Sequence, residues 1–241
     1  MSRTSRRNLL GALAGFGGLA VADRLADRYG MLPPDAGGLY GVGHSLTYAA
    51  QRLLVGDSLA REFPRHKISA SPFSTKGRPK TAEFERLANH GFAEWRVAID
   101  GLVARPLSLS LAELQSYASR SQITQLTCEE GWSFVAEWTG VPLAEVLQAA
   151  GVLPQAKYVV YASAQQHWDD SIDLAEALHP QTLLTYGMNG RDLPLDHGGP
   201  VRLRVPRQLA YKSVKFVNRI TVTDTLRGHP AGGSYAWYAG I

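Results

Sequence analysis

Apolar residues along this chain recur at two different spacings, and each predicts its own kind of element. From Thr81 to Asn89 the helical spacing places Phe84, Leu87 and Ala88 on one face, with Thr81 able to cap the first turn and Gly91 to stop the helix. Ser110 caps a second helix, Leu111 to Tyr117. Trp138-Thr139-Gly140-Val141-Pro142 introduces a third, Leu143 to Ala150, closed by Gly151. Ile172-Asp173-Leu174 leads into a short fourth that ends before Pro180. Strand patterns fill most of the rest: Trp95 to Ile99, Gln122 to Cys128, Tyr158 to Ala162, Leu183 to Met188, Val201 to Val205 and Ile220 to Thr223. Asp100-Gly101 and Asn189-Gly190 are tight-turn pairs, predicting hairpins that return through Leu102 to Arg105 and through Arg191 to Leu193. Strands broken by short helices, with no regular strand–helix–strand period, predict an α+β fold with mixed sheets rather than a doubly wound one.

The pattern changes towards the N-terminus. Ser5-Arg6-Arg7-Asn8-Leu9-Leu10 resembles the twin-arginine export motif, and an apolar run of 14 residues follows from Leu9 to Ala22. That run is shorter than the roughly 20 residues that span a bilayer. Ala20-Val21-Ala22 is a small-x-small site of the kind signal peptidases cut. Residues 1–22 therefore predict export to the periplasm, or anchoring where the segment stays uncleaved. The twin-arginine route carries folded proteins, often around a cofactor. Residues 23–66, with Pro33-Pro34 and Gly37-Gly38, predict an extended arm holding a helix near Thr47 to Leu54, and residues 67–241 form the main domain. Within that domain, Lys67 to Lys80 is a loop.

Composition and charge narrow the field. The chain has 241 residues, 45% hydrophobic and 19% charged, which is globular and enough for one substantial core or two small lobes. The formal charge of +4 falls to +1 without Arg3, Arg6 and Arg7, so no nucleic-acid partner is expected. A single cysteine, Cys128, excludes an internal disulfide, haem attachment through a Cys-x-x-Cys-His motif and an iron–sulfur cluster.

Cys128 ends a predicted strand and precedes Glu129-Glu130-Gly131-Trp132-Ser133, at a strand-to-loop switch. It is either a buried small hydrophobe or a soft thiolate ligand for a redox metal. Arg202-Leu203-Arg204-Val205-Pro206-Arg207 alternates, so Arg202 and Arg204 leave one strand face, and Lys212 and Lys215 follow closely. Such cations either converge on a phosphate or carboxylate or form a solvated face. Asp196-His197-Gly198-Gly199-Pro200 puts a histidine in a turn just before them. Trp132, Trp138, Trp168 and Tyr211 fit core or pocket wall better than an electron-transfer path. His167 and Asp169, around Trp168, have no known metal-ligand spacing.

Two blocks carry a family resemblance: Cys128 to Leu143, and Met188-Asn189-Gly190 through Lys212-Ser213-Val214-Lys215. Together they resemble the molybdopterin domain of the sulfite-oxidase family over most of residues 68–241. The similarity is greatest to the bacterial branch with a Cys-x-Glu-x-Trp-Ser motif, which includes the catalytic subunit of periplasmic methionine-sulfoxide reductase, and to short members ending as Trp237 to Ile241 does here.

The resemblance implies a sulfite-oxidase-type fold without the dimerisation domain, and one molybdenum bound to a single molybdopterin with Cys128 as its protein ligand. Ser163, His197 and Arg202 match residues at the pterin and its phosphate, and Ser213, Val214 and Lys215 match a phosphate-holding stretch. In the loop Phe73-Ser74-Thr75-Lys76-Gly77, Lys76 stands where the family often has an asparagine. The implied chemistry is oxygen-atom transfer, with Trp132, Trp168, Asp169 and Tyr211 as candidates around the substrate. Sulfite oxidases carry an arginine-rich run after the metal cysteine; Glu129-Glu130 replaces it here. Reduction of a neutral S-oxide or N-oxide is therefore expected ahead of sulfite oxidation. Lacking a second redox centre, the chain would need an electron-transfer partner such as a membrane cytochrome b. Two rivals predict no bound metal: a cysteine hydrolase using Cys128 with His197 or His167, and a periplasmic binding domain that kept only the fold.

Overall fold

A computed structural model describes residues 49–50, 54, 58–75, 77–165 and 168–226. The export motif, most of the arm with its expected helix, Lys76, His167 and the Trp237–Ile241 ending lie outside the described residues. The described residues from 58 to 226 cluster together as one unit.

The described strands make two sheets. The first runs in the order β2 (Leu107–Leu109), β1 (Val97–Gly101), β10 (Val217–Thr223), β5 (Tyr158–Ser163), β6 (Asp170–Asp173). The second runs β3 (Arg120–Thr127), β4 (Ser133–Pro142), β7 (Leu183–Met188), β8 (Arg191–Asp192), with β9 (Arg202–Arg204) also paired to β7. The β1–β10 pair is parallel and its neighbours are antiparallel, so the first sheet is mixed. Helices α1 (Ala82–Asn89), α2 (Leu111–Ser116), α3 (Leu143–Ala150) and α4 (Leu174–Ala177) interrupt them, as the α+β expectation required.

Helix ends follow their side chains. Thr81 accepts from Phe84 N at 3.2 Å, and Gly151 closes α3 with a left-handed φ of 71°. Ser110 and Glu113 form a reciprocal capping box at α2. Ser110→Ala should therefore cost about 1 kcal/mol. Urea unfolding would register this as a lower midpoint with an unchanged slope.

One expectation gains detail and another needs correction. Trp138 to Pro142 does introduce α3, with Pro142 at its N-cap, and is itself the second half of the ten-residue strand β4, held between β3 and β7. Gly140 permits that approach, because a Cβ there would sit 2.2 Å from the Leu184 carbonyl oxygen. Asp100-Gly101, however, does not turn a hairpin through Leu102 to Arg105. Gly101 continues the parallel ladder opposite Val222, and the antiparallel partner of β1 is β2, after a longer link. Asp100 is engaged across the sheet by Arg219 Nε at 2.8 Å and Thr221 Oγ1 at 2.7 Å, so it is not available as a turn former. Asn189-Gly190 does turn the β7–β8 hairpin, at φ 54° and 76°.

The larger core packs α1, α2 and α3 around residues such as Trp95, Ile99, Leu147 and Ile220. A smaller cluster, Leu126, Phe134, Ala136, Trp138, Met188 and Leu193, lies in the second sheet with Trp132 and Ala210 against it. That second cluster floors the candidate site.

Candidate active site

The β3–β4 hairpin presents Cys128. Its loop is closed by Cys128 N donating to Trp132 O at 2.9 Å and Gly131 N to Cys128 O at 3.1 Å, with Gly131 at a left-handed φ of 93°. The same tight loop brings both following carboxylates back to the sulfur. Cys128 Sγ lies 3.3 Å from Glu129 Oε2 and 3.8 Å from Glu130 Oε2. Burial pushes the thiol up to about 11, and the neighbouring carboxylates add to the effect. Left to itself this cysteine stays protonated at neutral pH; a bound cation would reverse that balance.

A cavity of about 330 Å³ opens beside it. Of the residues expected near the cofactor, Cys128, Ser163, His197 and Arg202 line it, with Ser213, Val214 and Lys215. Trp132, Trp168 and Tyr211 line it as well. Asp169 does not: its Oδ1 accepts from Ser163 N at 3.2 Å, steadying the end of β5 from behind. Ser163 Oγ in turn donates to Lys215 O at 2.8 Å and accepts from Gln165 N at 3.0 Å.

The four cations of the basic run separate. Arg202 is buried at the cavity wall, donating Nη1 to His197 O at 2.8 Å and Nη2 to Ser213 O, while its Nε finds no partner among the described residues. Lys215 Nζ reaches Asp196 O at 2.6 Å and Thr75 Oγ1 at 3.2 Å. Burial pulls Arg202 down to about 10; burial and Arg202 pull Lys215 down to about 8. Arg204 and Lys212 serve the scaffold instead. Arg204 donates to Gln125 O and Thr124 Oγ1, and Lys212 donates to Asp170 Oδ1 at 2.8 Å. Burial, Arg202 and Lys215 together hold His197 down to about 4, so its imidazole is neutral.

Several wall residues were not singled out from sequence. Phe134 stacks parallel to Trp132 with centroids 6.2 Å apart and meets His197 edge-on at 5.5 Å. Trp138, which the sequence did point to as core or pocket wall, is fully buried and carries Arg202 and Arg204 near its ring, at 5.3 Å and 5.4 Å. Ser74 donates to Asp196 O, clasping the Phe73–Thr75 loop onto the site. Only period-two alternation from Phe134 to Trp138 could have flagged the first pair; the loop clasp leaves no sequence signal.

These features test whether a molybdopterin fits. Buried Arg202 and half-buried Lys215 share a wall with no carboxylate in ion-pair distance among the described residues, and Arg202 keeps an orphaned Nε. Buried uncompensated cations are costly unless an anion joins them. A phosphate supplies that anion, and the thiol of Cys128 in the same cavity supplies the soft donor a redox metal needs. The residues fit the group. A thiol held protonated, with carboxylates rather than an imidazole as its contacts, is by contrast poorly set for nucleophilic hydrolysis.

Fold and site together define a molybdopterin-binding domain of the oxidoreductase kind. Residues 85–230 match the family described as oxidoreductase molybdopterin binding domain, and the chain belongs to that family. It is 38% identical over 149 residues to a protein of Azospira oryzae provisionally named a protein-methionine-sulfoxide reductase subunit, YedZ1, covering 61% of this chain and 56% of that one. It is 36% identical to the protein-methionine-sulfoxide reductase catalytic subunit MsrP of Xanthomonas axonopodis, over 66% of this chain and 54% of the relative. The chain thus spans about half the length of these curated relatives. In the sulfane dehydrogenase SoxCD from Paracoccus pantotrophus, a similar fold superposes with a TM-score of 0.53 at 26% identity, covering 55% of this chain and 39% of that one.

Proposed function

We propose that this chain is a molybdenum-cofactor oxidoreductase that reduces a small S-oxide or N-oxide by oxygen-atom transfer. The observation that carries the reading is the division of one cavity into a cationic wall, Arg202 and Lys215, and a thiol flanked by Glu129 and Glu130. Arg202, Ser213, Val214 and Lys215 would hold the phosphate of a single pterin, Ser163 and His197 its ring system, and Cys128 the metal. When bound, the cofactor supplies a two-electron molybdenum couple able to exchange an oxygen atom with substrate. For an S-oxide the sulfur–oxygen bond breaks, and two electrons and two protons release the sulfide and water.

The protein's own part is orientation and charge. The neutral imidazole of His197 can donate or accept a hydrogen bond without adding to the two cations beside it. Trp132, Trp168 and Tyr211 wall the substrate side, and Asp169 positions Ser163 rather than touching substrate. Glu129 and Glu130 oppose a dianion such as sulfite at the metal cysteine. One-electron carriers must deliver the electrons; a membrane cytochrome b is the class of partner this reading takes. The twin-arginine-like residues 1–22 support a periplasmic location.

The test uses protein purified from a molybdate-replete host. Equimolar molybdenum and pterin are expected, together with oxidation of a reduced viologen dye on addition of a methyl sulfoxide. Metal-free protein from such cells would refute the cofactor. Loaded protein that oxidises sulfite and leaves oxides untouched would refute the direction.

A further inference from the structure

The opening of the cavity carries a chemical pattern that the cofactor leaves unused. Phe73 and Trp168 line the cavity yet remain 49% and 56% exposed, so apolar area is left facing the entrance. Phe73 packs on Trp132 with ring centroids 4.7 Å apart. Trp132 Nε1 donates to Glu130 Oε2 at 2.8 Å, which fixes the indole and sets a carboxylate at its edge. Glu129 also lines the cavity, and its charge reaches the far wall: burial first, then Asp170 and Glu129, raise the Tyr211 phenol. Among the described residues neither Glu129 nor Glu130 has a cation in ion-pair distance.

Aromatic faces attract a cation through their quadrupole, and nearby carboxylates attract it through charge. Arg202 and Lys215 do not cancel this, because the phosphate they would hold neutralises them first. We propose that Phe73, Trp132 and Trp168, with Glu129 and Glu130, are specificity-determining, and that they select oxides bearing a positive charge near the reacting group. An alkylated ammonium arm fits such a mouth best, a neutral arm is accepted less well, and an anionic arm is rejected. The inference rests on the oxide-reductase reading above and adds the charge class of the substrate to it.

Three methyl alkyl sulfoxides of one chain length, ending in trimethylammonium, hydroxyl or carboxylate, provide the test on the holoprotein with a reduced viologen donor. The ammonium compound should exceed the carboxylate in kcat/KM by at least about tenfold, with the hydroxyl compound between them. In the Glu129→Gln/Glu130→Gln variant that ratio should shrink to within about threefold, since the charges are lost. The glutamine oxygen at position 130 can still accept from Trp132, so the indole stays in place.

A second readout needs no turnover. Tetramethylammonium chloride should change tryptophan fluorescence saturably at constant ionic strength in the wild type and not in the double variant, with sodium acetate inert in both. Equal kcat/KM for the three sulfoxides, or no saturable tetramethylammonium response, would overturn the assignment. Failure to reduce any of the three would overturn the reductase reading instead, and the tetramethylammonium titration would still decide the mouth.

Discussion

Cys128→Ser should lower kcat/KM for oxide reduction by at least about a thousandfold, on the order of 4 kcal/mol of transition-state stabilisation. The replacement is nearly isosteric, and the backbone bonds that close its loop, Cys128 N to Trp132 O and Gly131 N to Cys128 O, do not involve the sulfur. Folding should therefore persist, with a melting temperature close to that of the parent. The hydroxyl, however, is a hard and far less acidic donor, poorly matched to a redox metal. Pterin content should survive, because Arg202 and Lys215, which line the same cavity, would hold the phosphate independently of the metal ligand. The variant should thus retain pterin while its metal spectrum loses thiolate-to-metal absorption. An unchanged spectrum would refute Cys128 as ligand. A protein equally active without the thiol would refute the reaction through this centre.

Sequence periodicity captured elements whose ends are written in local side chains. Thr81, Ser110 and Gly151 bound their helices, and Asn189-Gly190 turns its hairpin. It failed where a long-range partner decided the outcome. Strand β4 is buried along most of its length, so its apolar residues alternate too weakly to mark a strand ahead of the helix they introduce. Asp100-Gly101 has the composition of a turn, but the parallel approach of β10, more than a hundred residues later, holds it in a strand.

The site was legible in a similar, uneven way. Ordered motifs named most of the side chains that the fold gathers around one cavity, because loop cysteine, turn histidine and strand arginine are each displayed by local structure. What alternation could not do was apportion the cations. Arg202 and Arg204 leave the same strand face, yet Arg202 borders the cavity while Arg204 directs Nη2 to Thr124 and Gln125 of β3 and Nη1 to Ser213 Oγ. Lys212 and Lys215 differ in the same manner, since their partners come from different strands and turns.

The separation of Lys212 from the cofactor cations makes it the most consequential scaffold residue near the site. Its ammonium is fully buried, 2.8 Å from Asp170 Oδ1 and 2.7 Å from Ser171 O. Tyr161 donates its hydroxyl to the Lys212 carbonyl at 2.9 Å, locking the turn that carries Tyr211 and Ser213 onto the cavity. Lys212→Met preserves most of the side-chain volume but strands the Asp170 carboxylate in the interior, which should cost about 3–5 kcal/mol. Pairing it with Asp170→Asn removes the stranded charge, so the double variant should recover most of that loss in urea unfolding. Additive losses would show that the two side chains do not act as a pair. Because Ser213 and Arg202 share a hydrogen bond on the far side of this turn, the single variant should also release pterin faster than the parent. Stability and cofactor retention would then fall together in Lys212→Met and return together in the double variant, as expected when one buried ion pair supports both the sheet and the phosphate wall.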